Sequence, residues 1–411
     1  MATIQIKNLG PVKDTGLINL TDVLLVIGRQ SSGKSTFMKV LCFCRWIEKK
    51  IMTSFDNTIQ AYTHNKRFIR DLKQFYRIDE MYFKEDTEII YDGDVVTISL
   101  TGVNQNAKIN RKQEAWEDRY NSKLSYIPAE RNLVSAIQNI NDTYKAKERD
   151  SIFNFIQEWY EAKDTYGSDN KLTLSLTDDF KYYSDKGLDY VVLPNGKPIT
   201  SFYASSGVQS IMPIDVMTDY VMGVVGKVVK FSMSDLMNRL MESLNTDVRN
   251  KIVHGAHEVT EEELAPIPEK MKYQSAQLFI EEPEQNLYPD AQRKLVQNII
   301  RHLKAVKSVG KHRSMVVLTT HSPYVLSILN VLIADAAAVE KKPSDERLKD
   351  VVDESTLLPT DAFSAYFINK DGVFEDIKDM EIPMLSGINL DSVSDWVDEH
   401  VGRINEILYA E

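Results

Sequence analysis

The chain has 411 residues, room for two or three domains, with 43% apolar and 27% charged residues. That balance excludes a collagenous, low-complexity or disordered polypeptide and allows a buried core. Forty-nine basic against sixty acidic residues leave a net charge of −11, the wrong sign for a protein that lives on nonspecific phosphate contacts, although local basic patches stay open.

The chain opens on Thr3–Lys7, an alternating short strand, followed by a Gly10-Pro11 turn. Val23–Ile27 is a continuous apolar run, as expected of a strand buried on both faces. GRQSSGKST comes next, then a helical stretch from Thr36 to about Ile51. Two cysteines, Cys42 and Cys44, lie two apart on that helix, so they point to different faces and suit neither a disulfide nor zinc. Arg67, Arg70, Lys73 and Arg77 recur at helical spacing with Phe68 and Phe75 between them, either a solvated face or a contact for nucleic acid or a partner. Residues 87–110 alternate as strands around an Asp92-Gly93 hairpin turn.

A short strand over Lys123–Ile127 runs into Pro128-Ala-Glu-Arg-Asn132. From Val134 to about Phe180 the pattern is mostly helical and is expected to form an inserted lobe. The stretch Ile211–Met233 is apolar but interrupted by Asp215, Asp219, Lys227 and Lys230, which disqualifies it as a membrane span. Gln277–Ile280 and Met315–Thr319 read as buried strands, with a helix from Asp290 to His312 between them. Strand, helix, strand with short links implies parallel strands and an α/β core. Residues 334–360 read as a polar loop, a hairpin follows around Phe367–Val373, and a last helix is expected from Ser392 to Tyr409. With no secretory leader in view, the expectation is a reduced, cytoplasmic protein without a membrane partner.

Four segments carry chemistry. Gly28-Arg29-Gln30-Ser31-Ser32-Gly33-Lys34-Ser35 fits G-x-x-x-x-G-K-[ST] between a buried strand and a helix. Successive backbone N–H groups at a helix start form an anion nest, which Thr36 continues. Lys34 reaches β- and γ-phosphates, and the Ser35 hydroxyl can ligate Mg²⁺. In Gln277-Leu-Phe-Ile-Glu281-Glu282-Pro283 two carboxylates sit at the carboxyl end of a strand, where α/β ligands bind. Glu281 would hold Mg²⁺, and Glu282 would polarise the attacking water. Thr319-Thr320-His321-Ser322 ends another buried strand, placing His321 to donate to a γ-phosphate. Ser205-Ser206-Gly207-Val208-Gln209 opens an apolar helix and is either a second anion nest or a plain N-cap.

The order of these segments resembles the ABC-type ATPase head, and more narrowly its SMC/RecF-like branch, close to the stand-alone bacterial AAA/OLD-like ATPases. IQIKNLGPVKDTGLINL, IPAERN, LFIEEPEQNLYP and VVLTTHSPYVL are similar to that branch's stretches over about residues 1–330. The resemblance implies an ABC-type P-loop head with a mixed/parallel core sheet and a β-rich subdomain. Residues 1–132 and 196–335 would form the head, 133–195 an inserted helical lobe, and 336–411 a C-terminal tail completing the head. It further implies ATP and Mg²⁺ as cofactors and a homodimer or higher oligomer. In that dimer Ser206, Gly207 and Gln209 of one copy would close on the nucleotide held by the other.

The chain departs from the pattern in three places. SSGVQ stands where LSGGQ is usual. No glutamine follows the second core strand, where Glu130 or Arg131 lies instead. Asn286 is the nearest candidate for the aspartate usual after the catalytic acid. The insert is too short for a coiled-coil arm, and no acidic nuclease constellation follows His321. The resemblance therefore implies an ATPase that drives or gates a separate effector, a nuclease or toxin, in DNA-related or anti-phage work, with DNA a possible partner. The alternative is a weakly hydrolysing, nucleotide-gated scaffold that restrains or activates such a partner.

Overall fold

The computed structural model describes residues 1–53, 58–144, 150–227, 272–379 and 384–386, together with Arg403. The helix expected over Ser392–Tyr409 lies outside the described residues, apart from Arg403.

The N-terminal strands β1 (Thr3–Leu9), β2 (Val12–Asp14) and β3 (Ile18–Asn19) lead to β4 (Val23–Gly28) and the helix α1 (Lys34–Thr53). After α2 (Thr58–Tyr62) and α3 (Arg67–Tyr76) come β5 (Phe83–Asp92), β6 (Val96–Thr101) and β7 (Lys108–Arg111). They join β1, β2 and β3 in an antiparallel sheet, and β5 and β6 pair across the Asp92-Gly93 turn as expected. Next are β8 (Ser122–Ile127), two short helices α4 (Leu133–Ala136) and α5 (Ile140–Thr143), and α6 (Ser151–Lys163).

The insert is not all helical. Beyond α6 the strands β9 (Leu172–Thr173), β10 (Lys181–Asp185), β11 (Leu188–Val192) and β12 (Pro198–Thr200) form a four-stranded antiparallel sheet. Lys186 and Gly187 both have positive φ, as a two-residue primed turn requires, and the tyrosines and valines that flank it favour strands. Tyr182 packs on Trp159 of α6, which ties this sheet to the main core.

The signature helix α7 (Ser206–Gly223) follows, then β13 (Ser275–Glu281), α8 (Pro289–Lys307), β14 (Met315–Thr320), α9 (Pro323–Lys341), β15 (Phe363–Ile368) and β16 (Phe374–Asp376). The polar loop expected from residue 334 therefore begins only after Lys341. Ala334 and Ala336–Ala338 are strong helix formers and extend α9 instead. By length and composition α9 could cross a membrane, yet its Val325, Leu326, Leu329, Leu332 and Ile333 are buried in the core.

The central sheet runs β16-β15-β4-β14-β13-β8, with every neighbour parallel except β16. The inner parallel strands β4, β13 and β14 alternate between two cores, which is why they read as apolar runs, whereas the edge strand β8 carries Ser122, Lys123 and Ser125. Val23, Leu25 and Ile27 face α7, α8 and α9, whereas Leu24 and Val26 face α1. Leu278 and Ile280 against Phe279, and Val316 and Leu318 against Val317, repeat the split. Cys42 and Cys44 are buried in the second core, where burial pushes both thiols far up. A buried network of Arg45, Glu48 and Tyr91 with Asp94 fastens α1 to the β5–β6 hairpin: the Arg45 guanidinium donates to Glu48 at 3.0 Å and to Asp94 at 2.6 Å.

Candidate functional site

Parallel registry brings the motif segments to one sheet edge. Ile27 lies beside Thr320, Thr319 beside Glu281, and Ile280 beside Ile127. Gly28, His321, Glu282 and Pro128 thus leave the sheet side by side.

The loop after β4 turns through Ser31 and Gly33, both at positive φ. A Cβ on Gly33, at φ +107°, would sit 2.7 Å from Val12 Cγ2. Arg29 and Gln30 are exposed, Ser32 and Ser35 partly so, and Thr36 is buried in the first turn of α1. Lys34 is 5% exposed, and its Nζ donates to the Gly28 and Arg29 carbonyls, both at 2.8 Å, folding back across the loop. Burial pushes this ammonium below its ordinary value, while Glu282, Glu284 and Glu281 pull it the other way. A cleft of about 470 Å³ opens beside the loop, lined by Pro11, Arg29, Gln30, Ser31, Ile368 and Lys370 among others.

Glu281 is the last residue of β13 and 4% exposed. Its Oε2 accepts from the Ala129 N–H at 3.3 Å, and the carboxylate also interacts with the buried Tyr126 hydroxyl. Glu282 follows at φ +44°, its N–H donating to the Thr319 carbonyl at 2.8 Å. His321 Nδ1 lies 3.7 Å from Glu282 Oε1 and 3.3 Å from Glu284 Oε1. The His321 backbone N–H donates to the same Glu284 oxygen at 2.9 Å. Glu284 is buried and holds the histidine loop against the carboxylate pair. Sequence reading passed over it, although a third acid in EEPE was the available signal. In these segments Ser32 Oγ, Glu284 Oε2 and Thr319 Oγ1 are buried without a hydrogen-bond partner. Mg²⁺ typically takes one or two protein oxygens plus substrate phosphates. A Glu281 carboxylate oxygen and the Ser35 hydroxyl would fit that requirement. Among the described residues no group of three or more His, Cys, Asp or Glu forms a metal site by itself.

Of the two residues after β8, Glu130 is exposed and Arg131 is fully buried. Ser205 caps α7, its Oγ accepting from Val208 N–H, with Ser206 exposed at the helix start. Val208 is buried in the core. Gln209 does not present its amide: Nε2 donates to the Ser201 and Phe202 carbonyls at 3.0 and 3.1 Å. Asn286 donates to Ser210 Oγ at 3.0 Å, and a Cβ on Gly207 would come 3.3 Å from the Asn286 carbonyl. The loop after Glu282 is thus packed on the first turns of the signature helix. The basic set on α3 is spent on ion pairs: Arg67 and Arg70 with Asp71, Lys73 with Glu80, and Arg77 with Asp150.

A glycine-rich loop, paired acids and a histidine loop thus lie on adjacent parallel strands, flanked by an antiparallel subdomain, the arrangement of a P-loop type α/β fold. Residues 260–326 match the family model described as AAA ATPase domain. No curated protein matches the chain. Similar solved structures include the SMC head domain from Thermotoga maritima, at 12% identity over 79% of this chain and 90% of that one, with a TM-score of 0.34. An SMC head domain with an extended coiled coil bound to the C-terminal domain of ScpA, from Pyrococcus furiosus, is 9% identical over 97% and 99%, with a TM-score of 0.38. An ATP-binding cassette of an ABC transporter in its ADP conformation is 10% identical over 98% and 99%, with a TM-score of 0.33.

Proposed function

We propose that this ATPase works as an ATP-gated pair of heads whose opening and closing controls a separate effector. The observation that carries the catalytic part is the buried Lys34 ammonium at the loop, within the electrostatic reach of Glu281, Glu282 and Glu284 at the end of β13. The loop N–H groups and Lys34 would bind the triphosphate, and the cleft beside Arg29 would take the nucleoside. Lys34 would exchange its two carbonyl partners for phosphate oxygens. Mg²⁺, held by Ser35 and Glu281, would supply charge neutralisation on the phosphates. Glu282 would orient and deprotonate the attacking water, and His321, kept in place by Glu284, would donate toward the γ-phosphate.

Ser206 and Gly207 lie exposed or half-buried at a helix start, which supports their use by the nucleotide of a second copy. The effector reading, a nuclease or toxin in defence or DNA transactions, rests on the resemblance. The paired charges of α3 give no support to a nucleic-acid face there. One observation favours the weakly hydrolysing scaffold: the Gln209 amide is already committed to carbonyls of its own chain.

Steady-state phosphate release in Mg²⁺–ATP, with Glu282→Gln as control, separates the two. An active ATPase loses about 100-fold or more on that substitution. A wild-type rate equal to the variant's would leave the scaffold standing.

A further inference from the structure

Arg131 is the largest buried charge near the site, and it has no carboxylate partner of its own. Its Nε donates to the Ser210 carbonyl at 3.0 Å, Nη1 to the Glu281 carbonyl at 2.9 Å, and Nη2 to the Glu282 carbonyl at 2.9 Å. A longer contact reaches the Pro283 carbonyl at 3.5 Å. Burial pushes the guanidinium down to about 10, and Glu284, Glu282 and Glu281 oppose that shift through space.

The two best-placed carbonyls are those on either side of Glu282. The plane of the Glu281 carbonyl sets φ of Glu282, and the plane of the Glu282 carbonyl sets ψ. One rigid guanidinium fork therefore holds both rotations. Glu282 needs such a hold, because its φ of +44° lies in the left-handed region that a non-glycine residue adopts only under constraint. The third donor reaches the signature helix. There Pro213 cannot supply the N–H that the Gln209 carbonyl would normally receive, and the Ser135 hydroxyl takes its place at 3.2 Å. The segment 131–135 thus grips α7 by two successive carbonyls, those of Gln209 and Ser210.

We infer that Arg131 is a positioning residue that aims the Glu282 carboxylate by clamping the peptides on both sides of it, and that it makes this aim depend on where the signature helix sits. This rests on the role of Glu282 proposed above. It gives the arginine in IPAERN a task carried entirely through main chain.

The test compares four full-length proteins: wild type, Arg131→Met, Glu282→Gln and the double variant. Methionine removes every donor without leaving an unpaired buried charge. Arg131→Met is expected to lower kcat by about tenfold or more while leaving the Kd for a fluorescent ATP analogue within about threefold. In the Glu282→Gln background the same change should cost less than about twofold, because no carboxylate remains to be aimed. An equal loss in both backgrounds, an unchanged kcat, or a fall in affinity matching the fall in rate overturns the inference. Should Arg131→Met melt below the assay temperature, Arg131→Lys replaces it and is held to the same comparisons, since a lysine cannot span the three carbonyls. If Glu282→Gln itself leaves turnover unchanged, the reading of Glu282 falls and the clamp with it, a result distinct from failure of the clamp alone.

Discussion

Gly33 shows how little room the phosphate loop leaves. Its φ of +107° is one that L side chains rarely adopt, and the missing Cβ faces Val12 at 2.7 Å. The antiparallel subdomain presses on the loop from behind, so a methyl group at Gly33 has to displace the loop. Gly33→Ala should abolish binding of a fluorescent ATP analogue in a titration while the thermal midpoint falls by only a few degrees. Retained affinity would mean that the loop can re-form around the methyl. The loop was readable in the sequence because its determinants are contiguous, and Glu281 and Glu282 were readable because they end an apolar run. The positions of Glu284, third acid of EEPE, and of Arg131, in the place of the usual glutamine, were visible, but their tasks were not, for a physical reason. Glu284 acts by holding a histidine loop that arrives 37 residues later in the chain. Arg131 acts on carbonyls contributed by two other elements, and no side-chain pattern reveals that.

Among the elements, α7 carries the most unusual buried group. Asp215 accepts from the Ser175 N–H at 2.7 Å, from its hydroxyl at 2.9 Å, and from Asn298 at 3.0 Å, pinning the insert's sheet to α7 and α8. Burial pushes its carboxyl up to about 6 from 3.8, against those donors. Between these values the folded chain keeps a proton that the unfolded chain has lost. The contribution of Asp215 to stability is therefore greatest at low pH, falls as pH rises from 4 to 6, and is flat above. Two pH units correspond to about 3 kcal/mol. Urea unfolding across this range should show wild type losing about that much relative to Asp215→Asn. Parallel pH curves for the two proteins would refute the assignment. The parallel strands were legible from their apolar runs, as was the Asp92-Gly93 hairpin. The insert's sheet was missed because its strands are short and half-exposed, and because its turn is Lys186-Gly187 rather than an asparagine–glycine pair. The end of α9 was missed because its alanines carry helix propensity without an amphipathic period.

At the scale of the whole molecule, the sheet order places the motif-bearing edge on one side, with the insert's sheet packed on α6 and α7. If heads pair around nucleotide, the Glu282→Gln protein should double in mass by light scattering when Mg²⁺–ATP is added. The Lys34→Ala protein should stay at its starting mass. An unchanged mass for both would confine the nucleotide to a single head and remove the second copy from the mechanism.

The same strand order carries a consequence for biogenesis. Val23 pairs with Val316 on one side and with Phe363 on the other, so the strand that ends in the phosphate loop has no neighbours until β14 and β15, about 300 residues later, have been synthesised. Until then it is an apolar ribbon with both edges bare. Such late, long-range closure folds slowly and leaves the nascent chain open to aggregation. A ribosome stalled before β15 would hold a polypeptide whose phosphate-loop strand still lacks one flank, so the competence to bind nucleotide should arrive only once β15 has emerged.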